Sequence, residues 1–511
     1  MLDLTRRRAE AQVQHPPPGA DDWQPALLRV PTAVRSEGVR LWQWLGGRRL
    51  TVLVLLGVFL ALQFLIPARL VIRGMGAVGR PSVAVGILLG FLWLVSAIRP
   101  HRLPGGRQPV RWAVGIFVAV QLTGYVVGFD RLPTHGQASG ADRWLIFVVA
   151  FAGVTLSVAD GMRTRRDLDR LLRILVGFAS LMSVVGVLQF FRIVDLTRYI
   201  RIPGLGLNTD LIGVSARGDG DFLRVMGTAN HYIEYGVVLA LALPIALHYV
   251  LFSPRGWTKV WRVLALVVIA LGIPLSISRS AIVTLVVVML LLGTIWTSRQ
   301  RYNAAVLGVL GVAAFHLLNP GVLGTIRSLF TNAENDPSIT ARIERTAIVM
   351  RLWEERPVLG WGSGMVTPEE FLLLDNQVYM FLLAGGIVGL AGFVVFLAVP
   401  YFVGRSVRLH GYDEEARHLG HTLAVTMPSA FVVSGTFDTF SFATFVALLV
   451  VLIGATGALW RLDRQMRASD PPPAVTSGRI VAVPITADVR NRITQAWEAH
   501  ARLAPVRRSG R

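Results

Sequence analysis

The sequence predicts an all-α protein, a polytopic membrane helix bundle of about twelve transmembrane helices with a large extracytoplasmic loop that itself contains helices. Three observations carry that expectation. Of 511 residues, 53% are hydrophobic and only 16% charged, with a mean hydropathy of +0.54; the apolar residues fall in runs near the length of a membrane crossing; and arginine concentrates in alternate short connections. Lipid offers no partner to an unpaired backbone group, so each crossing must be a helix of about 20 apolar residues, with shorter runs tolerated.

In chain order the apolar runs are Leu50–Ile66, Ser82–Ile98, Trp112–Phe129, Trp144–Val158, Ile174–Phe191 and Tyr232–Leu251. They continue with Val263–Ile277, Ala281–Trp296, Ala304–Leu318, Val378–Val403, Leu419–Val433 and Phe440–Leu459. Residues 48–466 thus form the membrane domain. Residues 1–47, rich in Pro and Arg and too long and polar to be the start of a cleavable secretion signal, read as a flexible cytoplasmic tail. Residues 467–511, opening on Asp470 and Pro471 to Pro473, read as a second one, with an amphipathic pattern over Ile493 to Leu503.

Sidedness follows from arginine, since charges flanking a span resist translocation. The basic connections carry Arg99, Arg102, Arg107 and Arg111; Arg163, Arg165, Arg166, Arg170 and Arg173; Arg255, Lys259 and Arg262; Arg299 and Arg301; Arg405 and Arg408; and Arg461, Arg464 and Arg467. Both termini are therefore expected in the cytoplasm of a multi-pass protein of the cell membrane. Arg69, Arg73 and Arg80, in the first outer connection, run against the rule but are outnumbered. Two long loops fall outside, about Arg192 to Asn230 and 319–376, and loops of that length are exempt from it.

The formal charge of +20 is almost wholly arginine, with Lys259 the only lysine, and it is strung between apolar runs. That distribution suits lipid head groups and anionic substrates and excludes a nucleic-acid patch. The absence of cysteine excludes disulfides, thiolate chemistry and thiolate metal sites.

Four polar stretches stand out among the spans. Arg224 to His231 ends the first long loop, where a cation and a helix start at Asn230 could meet a phosphate; a capped loop with Arg224 at head-group level is the alternative. Arg279, between Ser278 and Ser280, sits between two apolar runs, where a cation costs a few kcal/mol without an anion, a carboxylate or water; capping a hairpin tip is its alternative. Arg342, Arg345 and Trp353 recur near helical spacing and predict an amphipathic helix in the large loop, followed by the glycine-rich Gly360 to Gly364, which lies either over a site or on lipid. Asp375 and Asn376 precede the span that contains Gly385, Gly386 and Gly389, where a carboxylate would equally serve as a helix cap.

In order and spacing, these four stretches resemble the O-antigen ligase and polymerase family of membrane glycan-assembly enzymes, with motifs over about Phe222 to Leu390. The resemblance implies a glycosyltransferase without metal or cofactor. Its partners would be a polyprenyl-diphosphate-linked glycan donor, a glycan, lipid or wall-polymer acceptor, and membrane lipids, with no nucleic acid. Arg224 and Arg279 would hold the diphosphate, as a planar guanidinium can do bidentately. Arg342 and Arg345 would add electrostatic contacts, with Asn230, His231 and Asn376 beside the substrate. Ligases of the family usually carry a histidine where this chain has Asp375, which leaves the base open: Asp375 can orient or activate the acceptor, and His231 is a second candidate. The rival class is a transporter or flippase of lipid-linked saccharides, for which discontinuous midplane helices and internal symmetry would speak, and the sequence shows little of either.

Overall fold

The computed structural model describes residues 51–99, 106–208, 215–217, 222–318, 321, 324, 327, 337–368, 370–371 and 374–469. The amino-terminal tail and the pattern over 493–503 lie outside them. The helices are α1 Val52–Phe64, α2 Pro81–Ile98, α3 Pro109–Gly128, α4 His135–Gly161, α5 Arg165–Phe190, α6 Tyr232–Leu251 and α7 Trp257–Leu275. They continue with α8 Arg279–Gly293, α9 Ser298–Leu318, α10 Pro337–Glu355, α11 Gln377–His410, α12 Glu414–Ser434 and α13 Ala443–Ser469. Of the carboxyl segment expected from residue 467, residues 467–469 belong to α13 and 470–511 lie outside the described residues.

Among the described residues, eight helices are long and apolar enough to cross a membrane: α2 to α7, α11 and α13; α1 and α8 are shorter apolar helices. Expected runs Ala304–Leu318 and Leu419–Val433 lie within α9 and α12. Helices α6 and α13 are buried over most of their length, whereas α2 and α7 leave most of theirs on the outside. All four are similarly apolar over their span segments, so the difference is one of position in the bundle.

The long connections are not purely irregular. Strand β1, Leu70–Ile72, pairs antiparallel with β2, Leu205–Leu207, joining the α1–α2 connection to the α5–α6 connection; β3, Ser215–Arg217, pairs with β4, Phe222–Arg224. Two of the three arginines that ran against the charge rule have protein partners or cover here. Arg69 Nη2 donates to Thr197 Oγ1 at 3.0 Å, and Arg80, 8% exposed, is enclosed by protein and not by lipid.

The helix expected around Arg342 to Trp353 is α10, and the glycine-rich turn after it does not lie free over the surface. Helix α11 breaks at Gly386, whose φ of 59° and ψ of −155° are non-helical. Residues 357–362 fill the break with backbone. Trp361 N–H donates to Leu383 O (2.8 Å), Gly362 N–H to Ala384 O (2.9 Å), Ile387 N–H to Pro357 O (2.9 Å) and Val388 N–H to Val358 O (3.2 Å). A helix can be interrupted inside an apolar bundle only where its freed N–H and C=O groups find such partners. Ser363 N–H then reaches Gly124 O on α3 at 3.1 Å, which ties the turn to the bundle as well.

Candidate functional site

Glu234, in the first turn of α6, is 0% exposed and accepts three backbone N–H groups: Asn230 on Oε2 (2.7 Å), and Thr444 (2.6 Å) and Phe445 (3.2 Å) on Oε1. One carboxylate therefore fastens the Arg224–His231 stretch to the start of α13, where the N–H groups of a helix have no internal partner. His231, not Asn230, caps α6: its Nδ1 accepts from Ile233 N–H at 3.2 Å. Burial, with Arg224 nearby, lowers its pKa to about 4, so the ring is neutral and one nitrogen is engaged in the cap. Asn230 is released from capping, and its Oδ1 is buried without a hydrogen-bond partner. Arg224 lies with its guanidinium carbon 4.2 Å from the Tyr232 ring centroid and donates to the Tyr232 hydroxyl.

The α7–α8 turn holds Arg279 as the first residue of α8, capped by Ser278, whose Oγ accepts from Ala281 N–H. The turn is tight enough to place Ile277, a buried β-branched residue, at φ 46°, a conformation that costs such a residue about 1–2 kcal/mol. It packs against the start of α6 at Gly236, where a Cβ would lie 2.5 Å from both Ser276 Oγ and Ala281 Cβ. The first two polar stretches are thereby brought together.

Asn376, not Asp375, caps α11, accepting from Val378 N–H (2.9 Å) and Tyr379 N–H (3.1 Å). Asp375 is left to pair with Arg345 of α10 at 3.4 Å, with both side chains partly exposed. On its other edge this segment meets residues 435–442, the connection between α12 and α13. Asn376 Nδ2 donates to Gly435 O (3.0 Å), Gln377 N–H to Phe437 O (3.3 Å), and Phe440 N–H to Gln377 Oε1 (2.7 Å). The same connection reaches the other stretches: Thr436 Oγ1 donates to Ser280 Oγ at 2.9 Å, and the Phe442 ring lies 5.7 Å from that of His231.

Beside this connection is a cavity of about 320 Å3. Its wall includes Asp438, Phe440 and Ser441 from the connection, Asn230, Gln377, Gly364, and the two cations Arg80 and Arg143. Aromatic rings from Trp144, Phe147, Phe151 and Phe381 complete it, a mixture of apolar faces and a few convergent polar groups that suits a ligand pocket. Arg80 has lost hydration, which works against its charge, while Glu234 supports it. The Gln63 amide, turned to satisfy its neighbours, accepts from Arg80 Nη1 at 2.7 Å and donates to Ser82 Oγ at 2.6 Å.

Of the residues expected from sequence, Asn230 lines this cavity, Asn376 adjoins it through Gln377, and Arg224, His231, Arg279, Arg345 and Asp375 are not part of its described wall. Arg342 lies on α10, its side chain outside the described residues. Sequence reasoning passed over Arg80, Arg143 and the whole 435–442 connection. The signal for Arg80 was its violation of the charge rule: an arginine in a short outer connection calls for some other reason to be there.

Residues 264–394 match the family model described as O-antigen ligase. The match runs from α7 into α11, taking in Arg279, Arg342, Arg345, Asp375 and Asn376 and stopping short of 435–442. No curated protein matches the chain.

Proposed function

We propose, from the match of residues 264–394 to the family model described as O-antigen ligase, that the chain is a membrane protein of glycan assembly that transfers a saccharide from a polyprenyl-diphosphate donor to an acceptor hydroxyl, as a polysaccharide polymerase or ligase without metal or cofactor. The cavity end of the bundle faces the extracytoplasmic side of the cell membrane. Counting α1, α8, α9 and α12 as crossings besides the eight apolar spans gives twelve, with the membrane domain at 48–466, the large outer loop at 319–376 and both termini in the cytoplasm.

Arg224 and Arg279 hold the diphosphate. Their charge is permanent, and they stabilise the leaving group as the bond from the anomeric carbon to phosphate oxygen lengthens and negative charge gathers there. Arg342 and Arg345 add field from α10, Asn230, His231 and Asn376 line the approach, and Asp375 orients the acceptor. The observation that carries this reading is the convergence of three separate stretches on the 435–442 connection beside one cavity, with the fourth, on α10, joined to them through Arg345 and Asp375.

The test is transfer by the purified full-length protein in lipid nanodiscs, supplied with polyprenyl-diphosphate oligosaccharide and candidate glycan, lipid and wall-polymer acceptors. Replacing Arg224 and Arg279 together by alanine is expected to lower turnover at least about 100-fold. Full activity in that double variant would sink the assignment.

A further inference from the structure

We infer that Asp438 takes the proton from the acceptor hydroxyl, and that the cavity it shares with Arg80, Arg143 and Asn230 is where that hydroxyl is delivered. This rests on the transferase reading above and supplies the base that the sequence left open at Asp375.

Among the described residues, three carboxylates belong to the region, and their surroundings separate them. Glu234 is sealed from solvent with both oxygens accepting backbone N–H groups, so it has no access to a substrate. Asp375 is paired with Arg345 on the outer side and is not part of the described cavity wall. Asp438 lines the cavity, and its hydrogen bond comes from the Ser441 hydroxyl one turn on, which holds the carboxylate in place. Phe437 and Phe440 on either side of it are buried, so the carboxylate is presented from an anchored backbone.

The electrostatics agree with the geometry. Loss of hydration raises the Asp438 pKa to about 6; the Ser441 hydrogen bond opposes the shift and the charge of Asp375 adds to it. Among the described residues, the other charged groups near the region are Arg80 and Arg143 in the cavity wall, Arg345 beside Asp375, Arg224 beside His231, Arg279 next to the Ser280 that Thr436 contacts, and Glu234 under the start of α13, while His231 is neutral. A base that titrates just below neutrality is ionised at working pH yet strong enough to accept a proton in the transition state. In the step, the acceptor O–H proton passes to the Asp438 carboxylate while the acceptor oxygen bonds to the anomeric carbon. The bond from that carbon to diphosphate breaks, and its electron pair leaves with polyprenyl diphosphate. Asp375 acts on this step by orienting the acceptor and through its charge on Asp438.

The experiment uses the full-length protein in nanodiscs with undecaprenyl-diphosphate-linked oligosaccharide, measuring kcat and donor KM from pH 4.5 to 8.5. Asp438→Asn is expected to lower kcat about 100-fold or more with donor KM little changed, and Asp438→Glu to recover part of it. Wild-type kcat should fall as pH drops through about 6. That acid limb should disappear in Asp438→Asn and move to lower pH in Asp375→Asn, a shift that a merely structural Asp438 would not produce and that remains readable if Asp438→Asn folds poorly. Wild-type kcat in a folded Asp438→Asn, or an unmoved acid limb in Asp375→Asn, overturns the role of Asp438 while the transferase reading stands. Absence of transfer by the wild type with every lipid-linked donor overturns both.

Discussion

Glu234→Ala is expected to destabilise the protein by about 3–5 kcal/mol, the range found when one partner of a buried charged network is removed. The three N–H groups of Asn230, Thr444 and Phe445 would lose their acceptor in a site that water does not reach, and each orphaned buried donor costs about 1–3 kcal/mol. Glu234→Gln should lose less, because its amide oxygen can still accept from Thr444 and Phe445 while its amide nitrogen faces the Asn230 N–H. The measurement is the thermal unfolding midpoint of the three proteins in the same detergent, with monodispersity followed by size-exclusion chromatography. An alanine variant that melts with the wild type would show that the carboxylate does not hold the α6 and α13 starts together. Since α13 follows the connection that carries Asp438, a destabilised variant that still folds in the cold should also lose turnover.

Gly386→Val and Gly360→Ala are expected to be comparably damaging, whereas Gly385→Ala should be tolerated. At Gly386 a Cβ would lie 2.3 Å from the Val358 carbonyl carbon and oxygen, and at Gly360 it would lie 2.4 Å from Leu383 O. Both residues have positive φ, 59° and 68°, which costs a residue with a Cβ about 1–2 kcal/mol, and the forced displacement of packed backbone adds about 1–3 kcal/mol. Gly385, next in the chain, has open space where its Cβ would be and no positive φ, so alanine there should leave the midpoint unchanged or raise it slightly. Equal behaviour of the 385 and 386 variants would mean that the α11 break is not held by the 357–362 backbone.

How much of the site was legible depended on the kind of signal each residue left. Arg279 stood out because a cation between apolar runs is costly, and α10 because its residues recur at helical spacing. Asp375 and Asn376 were visible as polar residues before a glycine-containing span, but which of the two caps α11 was not, since Asp and Asn cap almost equally well. The same ambiguity hid the exchange at α6, where His231 takes the cap and Asn230 turns to the cavity. Asp438 was visible only as one of the few acidic residues beside the late spans, too sparse for a proton relay: a single carboxylate in a short connection carries no site pattern until Asn376, Gln377 and Ser280 are found against its neighbours.

By itself the sequence determined that the chain is helical, that it belongs in a membrane, and where its polar interruptions fall, because lipid forces apolar segments to satisfy their own backbone groups within helices. It could not order those helices in space. Lipid and bundle interior are equally apolar, so nothing in hydropathy separates the central α6 and α13 from the peripheral α2 and α7. Tertiary structure alone decided that order, closed the α11 break with a distant turn, and gathered Arg80, Asn230 and Asp438 from three remote parts of the chain around one cavity, because such pairings depend on which backbone groups are left unsatisfied once the helices have packed.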